Sequence, residues 1–367
     1  MNVNSAAQGD RAVMPFAPSL DFVERQRHNQ RASAALVLGF ILFFLIVGLT
    51  VDFVYTGAFR AGGPPVPVAT IISLAFATVM TITAYGSGGK LILASVGAEA
   101  PDIKNPQHRE LHNIVTEMAL ASGCPMPKVY IVYDPAANAF ATGRDEKSAA
   151  ICVTTGLLVL LDREETQGVV AHEMAHIRNN DTLLMMLVSI LLGGIALLAD
   201  WAQRSFLGSR IERKSGGVSA FVLIPALLLI AVAPLISRLL AMAVSRQREF
   251  LADATAVEFT RNPLGLAKAL EKIRDAGMPF QKATRGIAHL FIISPFRRRL
   301  DQREGRLADL LSTHPPIDRR IALLYRMAGV TPVSASATQG TAFHGILKGE
   351  FGVLRQAQDE RNANSND

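Results

Sequence analysis

Cysteine is scarce in this chain: Cys124 and Cys152 are the only two in 367 residues, and their spacing fits no cysteine-based metal site. Free thiols with structural roles are the expectation for such a pair on the cytoplasmic side of a membrane. A glycine-rich phosphate loop is also missing, so no ATP or other nucleotide is indicated. The net charge of +6 requires no nucleic-acid partner. Basic residues instead stand beside apolar runs, as in Arg297-Arg298-Arg299, where anionic lipid head groups attract them. Charged residues make up only 19% of the chain against 50% hydrophobic, and they cluster instead of spreading evenly. That composition places the chain in a lipid bilayer.

Four apolar runs carry the membrane assignment. The first occupies Ala32 to Tyr55, long enough to cross a hydrocarbon core of about 30 Å. It starts too far from Met1, is too long and lacks the small-residue cleavage site of a signal peptide. A second run opens after Pro67 and reaches Tyr85, a third covers Leu183 to Ala199, and a fourth covers Val218 to Leu240 with Pro225 and Pro234 inside it. Arg25, Arg27 and Arg31 precede the first run, whereas the short loop to the second holds only Arg60. The positive-inside bias therefore predicts a cytoplasmic N-terminus and a return to the cytoplasm near Lys90. Arg204, Arg210, Arg213 and Lys214 lie between the third and fourth runs, which is unusual for an external loop. That hairpin either breaks the rule or lies on or partly in the membrane; a spanning hairpin is the expectation.

Between the second and third runs stands His172-Glu173-Met174-Ala175-His176. Positions i and i+4 share a helix face, so both imidazoles can reach one ion, while Glu173 can reach a water at that ion instead of the ion itself. The order of residues matters. His108-Arg109-Glu110-Leu111-His112 has the same histidine spacing with the glutamate one place late, and reads as a solvated helix face. Catalytic zinc usually takes three protein ligands, often two histidines and a glutamate. Glu249 in Arg248-Glu249-Phe250-Leu251-Ala252-Asp253 is the candidate third ligand, and Asp253, one helical turn on, can accept a hydrogen bond from a ligating imidazole. The plain alternative makes both carboxylates ordinary surface charges among Arg246, Arg248 and Glu258.

Lys128 to Tyr133 alternates and is rich in β-branched and aromatic residues, and Ala149 to Thr155 has a similar character; both read as strands. Asn138-Ala139-Phe140-Ala141-Thr142-Gly143 lies between them. His314 precedes Pro315 and Pro316, which hold the local backbone in one conformation. As a fixed donor it could stabilise an oxyanion; capping the helix that starts near Ile317 is the equally weighted alternative. Arg319 and Arg320 are poorer candidates, because an arginine near a helix start is often structural.

Five ordered segments, HEMAH, SRQREFLADA, STHPP, NAFATG and AHLFIISP, together resemble the HtpX family of bacterial membrane-bound zinc metallopeptidases, related to the CAAX endopeptidases. The resemblance runs from about Ala32 to Gly329. It implies one zinc ion per chain on His172, His176 and Glu249, with Glu173 as general base, Asp253 supporting a ligand and His314 on the substrate side. It also implies that Asn138, Ala139, Phe140, Ala141 and Thr142 form an edge strand that binds substrate backbone by strand addition; a plain hairpin turn is the alternative. The expected activity is metal-assisted hydrolysis of peptide bonds in damaged or misfolded membrane proteins at the bacterial inner membrane, with the catalytic domain facing the cytoplasm. A CAAX-type prenyl endopeptidase and a non-catalytic zinc-binding scaffold are the competing readings. The four runs counted argue against the first, and the intact Glu173 against the second.

The expected fold is mainly α with a small β-sheet, an α+β membrane protein with about four transmembrane helices and a split zincin-type catalytic domain. Residues 1–31 form an N-terminal cytoplasmic tail and 32–86 a first transmembrane hairpin. Segment 87–182 brings the HEMAH helix, 183–240 a second hairpin, 241–330 the third ligand and His314, and 331–367 a C-terminal extension. Because the third run starts just after Asp181, a continuous helix is expected to carry the histidines into the bilayer.

Overall fold

Long apolar sequence with few helix breakers dictates the first two elements. In the computed structural model, which describes residues 22–53, 66–207, 246–280, 282, 286–293 and 315–330, helix α1 spans Phe22–Val51 and α2 spans Val68–Ser95. These two are long and apolar enough to cross a membrane, and little of either is buried within the protein. Helix α1 takes in residues 22–31, which the sequence pattern had assigned to the tail. Asp52, just past α1, is buried and ties the pair together: its carboxylate accepts from the Ala69 and Thr70 N–H groups at 3.1 and 2.8 Å and from the Thr70 hydroxyl at 2.7 Å. Those N–H groups open α2 and have no partner within their own helix, so a carboxylate there caps them and complements the helix dipole.

The sheet is small and mixed. Strand β1 is Lys128–Val132, β2 is Ala139–Thr142 and β3 is Ala150–Thr154, in the order β1-β3-β2, parallel between β1 and β3 and antiparallel between β2 and β3. Both expected strands form, and the segment between them is an edge strand, not a plain turn. Side chains alternate across the sheet. Ile131, Ala139, Ala141, Ile151 and Val153 enter a core with helices α3 (Pro106–Ser122), α5 (Arg163–Arg178) and α8 (Pro263–Ala276). Val132, Phe140, Ala150 and Cys152 face the other way, against Ile92 and Leu93 of α2 and Met185 and Met186 of α6 (Asp181–Leu207). The sheet is thus the layer between the helical core and the inner ends of two apolar helices. Helix α4 (Thr155–Leu160) follows β3 directly, α7 (Arg246–Thr260) packs along α5, and α9 (Ile317–Met327) closes the core beside α8.

Helix α6 contains the expected third run, and Leu187, Leu191 and Ile195 pack on Phe40, Phe43 and Phe44 of α1 and Ala77 and Ala84 of α2. The expected fourth run, 218–240, lies outside the described residues. One expectation is overturned. No continuous helix runs from the histidines into α6: α5 ends at Arg178, Asn180 adopts φ 56, and a new helix starts at Asp181. Asparagine tolerates this left-handed conformation better than most residues, and Asn179-Asn180 supplies the break. The solvated reading of the His108–His112 face is corrected too. His108 is buried, not solvated, and its Nδ1 accepts the Asp102 N–H at 3.1 Å, a loop-fastening role. Both cysteines are free thiols, Cys152 buried in β3.

Helix α5 is buried along almost its whole length and needs firm anchoring. Asp162 and Glu165 form a capping box, each side chain accepting the other's backbone N–H at 3.0 and 2.9 Å, and Lys272 of α8 reaches the same Glu165 carboxylate at 2.6 Å. At Gly168 the α5 backbone meets the start of α8 so closely that a Cβ would stand 2.7 Å from the Leu266 nitrogen. Gly168→Ala is therefore expected to destabilise the protein by about 1–3 kcal/mol through overpacking, measured as a lower unfolding midpoint in detergent.

Candidate metal centre

Helical spacing on α5 places His172, Glu173 and His176 on the side that meets α7, and α7 delivers Glu249 and Asp253 one turn apart. All five side chains are buried. The two Nε2 atoms face each other at 3.2 Å, and each lies 3.7 Å from an oxygen of Glu249. Among the described residues these three form the one cluster able to hold a metal ion, with ligand atoms all within 4.8 Å of one another. Ligand atoms placed at about 2.0–2.2 Å around one tetrahedral ion stand roughly 3.3–3.6 Å apart, so the observed set needs only small adjustment.

The outer nitrogens explain why the inner ones point where they do. His172 Nδ1 is 3.0 Å from Asp253 Oδ1, and His176 Nδ1 is 3.0 Å from Asp181 Oδ2. Each imidazole can donate Nδ1–H to a carboxylate and direct its Nε2 lone pair to the shared point, the arrangement that fixes a ligand's tautomer. The pairing for Asp253 was expected; Asp181 was not. It reaches His176 because the break at Asn180 starts a new helix at Asp181, whereas on one continuous helix a residue five positions on would lie on a different face. The sequence clue was an acid five residues past the second histidine, directly after two asparagines.

Arg320 was also underrated. It is among the largest fully buried side chains, and its guanidinium grips Asp253 through Nε and Nη2 at 2.8 and 2.7 Å. Nη1 stands 3.2 Å from Glu249 and donates to the Ile292 carbonyl at 3.1 Å. Its signal was present in helical periodicity, for Arg320 falls on the apolar face with Ile317, Ile321 and Leu324, where a charge must find a partner. Arg319 instead lies over the Phe250 ring at 5.4 Å. His314 lies outside the described residues.

Charge balance tests the fit to a metal. Glu173, Glu249, Asp253 and Asp181 are four buried carboxylates, and the guanidinium groups among them are Arg320 and the partly buried Arg248, 3.8 Å from Asp181. With all four ionised and both imidazoles neutral, as metal ligation requires, the deficit is two positive charges, which one divalent cation would supply. The histidines differ in a matching way. Burial and the neighbouring Arg320 lower the pKa of His172 and keep it neutral. Burial also disfavours a charged His176, but Asp181, Glu249 and Glu173 outweigh it and raise its pKa to about 9; the same carboxylates attract a metal cation. Burial pushes Glu173 up to about 7, with Glu249 adding to the effect and His176 opposing it, which suits a group that exchanges protons near neutrality.

Glu173 also accepts a hydrogen bond from the backbone of Ala141, so the carboxyl lies at the outer edge of β2. At the other end of that edge the Ile292 N–H donates to the Ala139 carbonyl at 3.0 Å, and the Asn138 side chain donates to the Ile293 carbonyl at 3.0 Å. Ala141 is therefore brought to the site, the segment after the 3₁₀ turn Ala288–Leu290 covers the start of the edge at Asn138 and Ala139, and Thr142 faces a cavity beside α2.

The sequence pattern of peptidase family M48 matches residues 105–328. A "Protease HtpX homolog" of Caldanaerobacter subterraneus subsp. tengcongensis is 44% identical over 78% of this chain and 92% of its own length. One from Thermoanaerobacter pseudethanolicus is 43% identical over 82% and 96%, and one from Dictyoglomus thermophilum is 38% identical over 84% and 95%. Among solved structures, S. mikatae Ste24p aligns with a TM-score of 0.44 at 17% identity, covering 82% of this chain and 67% of that one, a likeness too loose to bear on function.

Removing the support of a ligand is expected to weaken metal binding without removing a ligand. Asp181→Ala should lower affinity about 10–100-fold, measured by competition with a chromogenic chelator. Unchanged affinity would mean that Asp181 does not orient His176.

Proposed function

We propose, because the chain belongs to peptidase family M48, that it is a membrane-bound zinc metalloendopeptidase with His172, His176 and Glu249 as metal ligands and Glu173 as general base. The convergence of those three ligand atoms beside Glu173 and the β2 edge is the observation that carries this reading. Two imidazoles and a carboxylate form a donor set suited to catalytic zinc. Such an ion supplies Lewis acidity, polarising the scissile carbonyl and lowering the pKa of water towards roughly 7.

The residues around it do the rest. Glu173 takes the proton of the attacking water and passes it to the leaving amine. Asp253 and Asp181 hold the imidazoles, and Arg320 holds Asp253 while compensating buried negative charge. Substrate backbone adds along Asn138 to Thr142, which requires the chain to displace Ile292 from Ala139. His314, ahead of its two prolines, stabilises the oxyanion. No serine or cysteine nucleophile is needed. Burial and the neighbouring Glu173 push the thiol of Cys152 upward, consistent with an inert structural residue.

The membrane reading extends to orientation and substrates. Gln26 Nε2 donates to the Arg178 carbonyl at 3.0 Å, and Asn29 Nδ2 to the Asn179 carbonyl at 2.9 Å and to Asp181 at 2.6 Å. The N-terminal end of α1 thus lies on the same side as the metal helix. With Arg25, Arg27 and Arg31 at that end, the positive-inside bias puts both in the cytoplasm of a bacterial inner membrane. A site this close to the helices that enter the bilayer suits substrates that are themselves membrane proteins, such as damaged or misfolded ones.

Glu173→Gln should retain the metal and lose about 10²–10⁴-fold in cleavage of an unfolded protein. A chelator should abolish wild-type cleavage and zinc restore it. If both forms bind one zinc and neither cuts, the scaffold reading replaces this one; cleavage confined to prenylated peptides favours the CAAX branch. For orientation, single cysteines introduced at Gly62 and Gly123, with the native thiols removed, should react from outside the cell and from the cytoplasm respectively. The reverse pattern inverts the topology.

A further inference from the structure

An apolar stripe and a basic cavity meet on α2, away from the metal cluster; Thr142, at the end of the proposed substrate strand, is the one residue common to that strand and the cavity. Val68, Ile71, Ile72, Val79 and Ile82 are exposed, and their spacing puts them on one helix face. Gly86, Gly89 and Lys90 continue that face. From Val68 to Gly86 the helix rises by about 27 Å at roughly 1.5 Å per residue, close to the ~30 Å hydrocarbon thickness. The stripe therefore ends at head-group depth, where Tyr85 is half-exposed, as interfacial tyrosines commonly are.

At that level a cavity of about 170 Å³ opens between α2 and the sheet, many times the roughly 10–15 Å³ needed to hold one water. Lys90, Lys128 and Arg144 contribute three cations to its lining, and among the described residues no carboxylate lines it. Arg144 leans over the Tyr85 ring at 5.3 Å; its nearest acid is the exposed Asp145 at 3.1 Å, a weak surface pair. On the inner wall, the Thr142 hydroxyl is buried and has no hydrogen-bond partner among the described residues.

We propose that this cavity is a binding site for the phosphodiester of an anionic phospholipid, whose acyl chains lie along the exposed stripe of α2. Charge complementarity selects the head group, and the continuous apolar face above it selects a lipid over a free phosphate. The bound head group would sit against Thr142 at the end of the β2 edge, joining the bilayer surface to the strand assigned to substrate. The site rests on α2 spanning the membrane, which the cysteine-labelling measurement tests separately.

Native mass spectrometry of the full chain, released from micelles holding equal phosphatidylglycerol and phosphatidylcholine, tests the proposal. The wild type should retain the anionic lipid with a preference of about tenfold or more. A triple variant, Lys90→Gln, Lys128→Gln and Arg144→Gln, should bring that preference close to one, whereas Lys104→Gln, Arg109→Gln and Lys268→Gln together should leave it intact. Gly89→Leu fills the cavity without changing charge and should also abolish the preference, so the result does not hang on one variant's folding. Retention by the cavity variants, or equal loss in the control triple, overturns the site. Displacement of the lipid by millimolar inorganic phosphate assigns the cavity to a free anion, and displacement by an acidic peptide assigns it to substrate; either result also overturns the proposal.

Discussion

Four carboxylates buried around one pair of imidazoles are the constraint on which the rest of this molecule depends. Ionised acids taken out of water repel one another and are costly unless each is matched by a positive charge or a hydrogen-bond donor. Arg320 answers Asp253 and Glu249, Arg248 answers Asp181, and the two imidazoles spread the remainder across Nδ1–H donors. A divalent ion would complete the balance. The core is therefore organised around a charge to be neutralised, and α9, which otherwise only closes the helical layer, is held in place by the arginine it contributes.

That electrostatic centre is also mechanically joined to the membrane helices. Asn29 on α1 holds Asp181, Asp181 holds His176, and His176 is a ligand candidate. The sheet has one face on the catalytic core and the other on the inner ends of α2 and α6. The peptidase is thus not a soluble domain on a tether. Asn29 on α1 is joined to His176 through two hydrogen bonds at Asp181, and a lipid at α2 would touch the far end of the β2 edge strand.

Much of this was legible from residues alone, for identifiable reasons. The HEMAH spacing and the Glu249–Asp253 pair are local patterns within single helices, so a 3.6-residue period suffices to bring them to one face. The strands at Lys128–Val132 and Ala150–Thr154 declare themselves by β-branched alternation, and the segment between them does form the edge strand. The break between α5 and α6 was missed because the apolar run resumes at once after Asp181. Nothing in hydropathy distinguishes a continuing helix from one reset by a single left-handed asparagine. His108 was taken for a surface residue because its partner, a loop N–H, leaves no mark in the pattern of the helix.

By itself, then, the sequence determined the membrane character and the family, and it picked out His172, His176 and Glu249, which the fold gathers into one cluster, since each is encoded in side-chain chemistry at short spacing. Only the tertiary structure decided which acid orients His176, that Arg320 is the counter-charge of the site, and that α1 docks on the metal helix. Those contacts join residues as far as 152 apart, and the Asn180 turn that makes one of them possible is a matter of backbone dihedral angles. Pairings of that kind depend on how helices settle against one another to bury apolar surface and satisfy buried charge together, and no local period in the chain records the outcome.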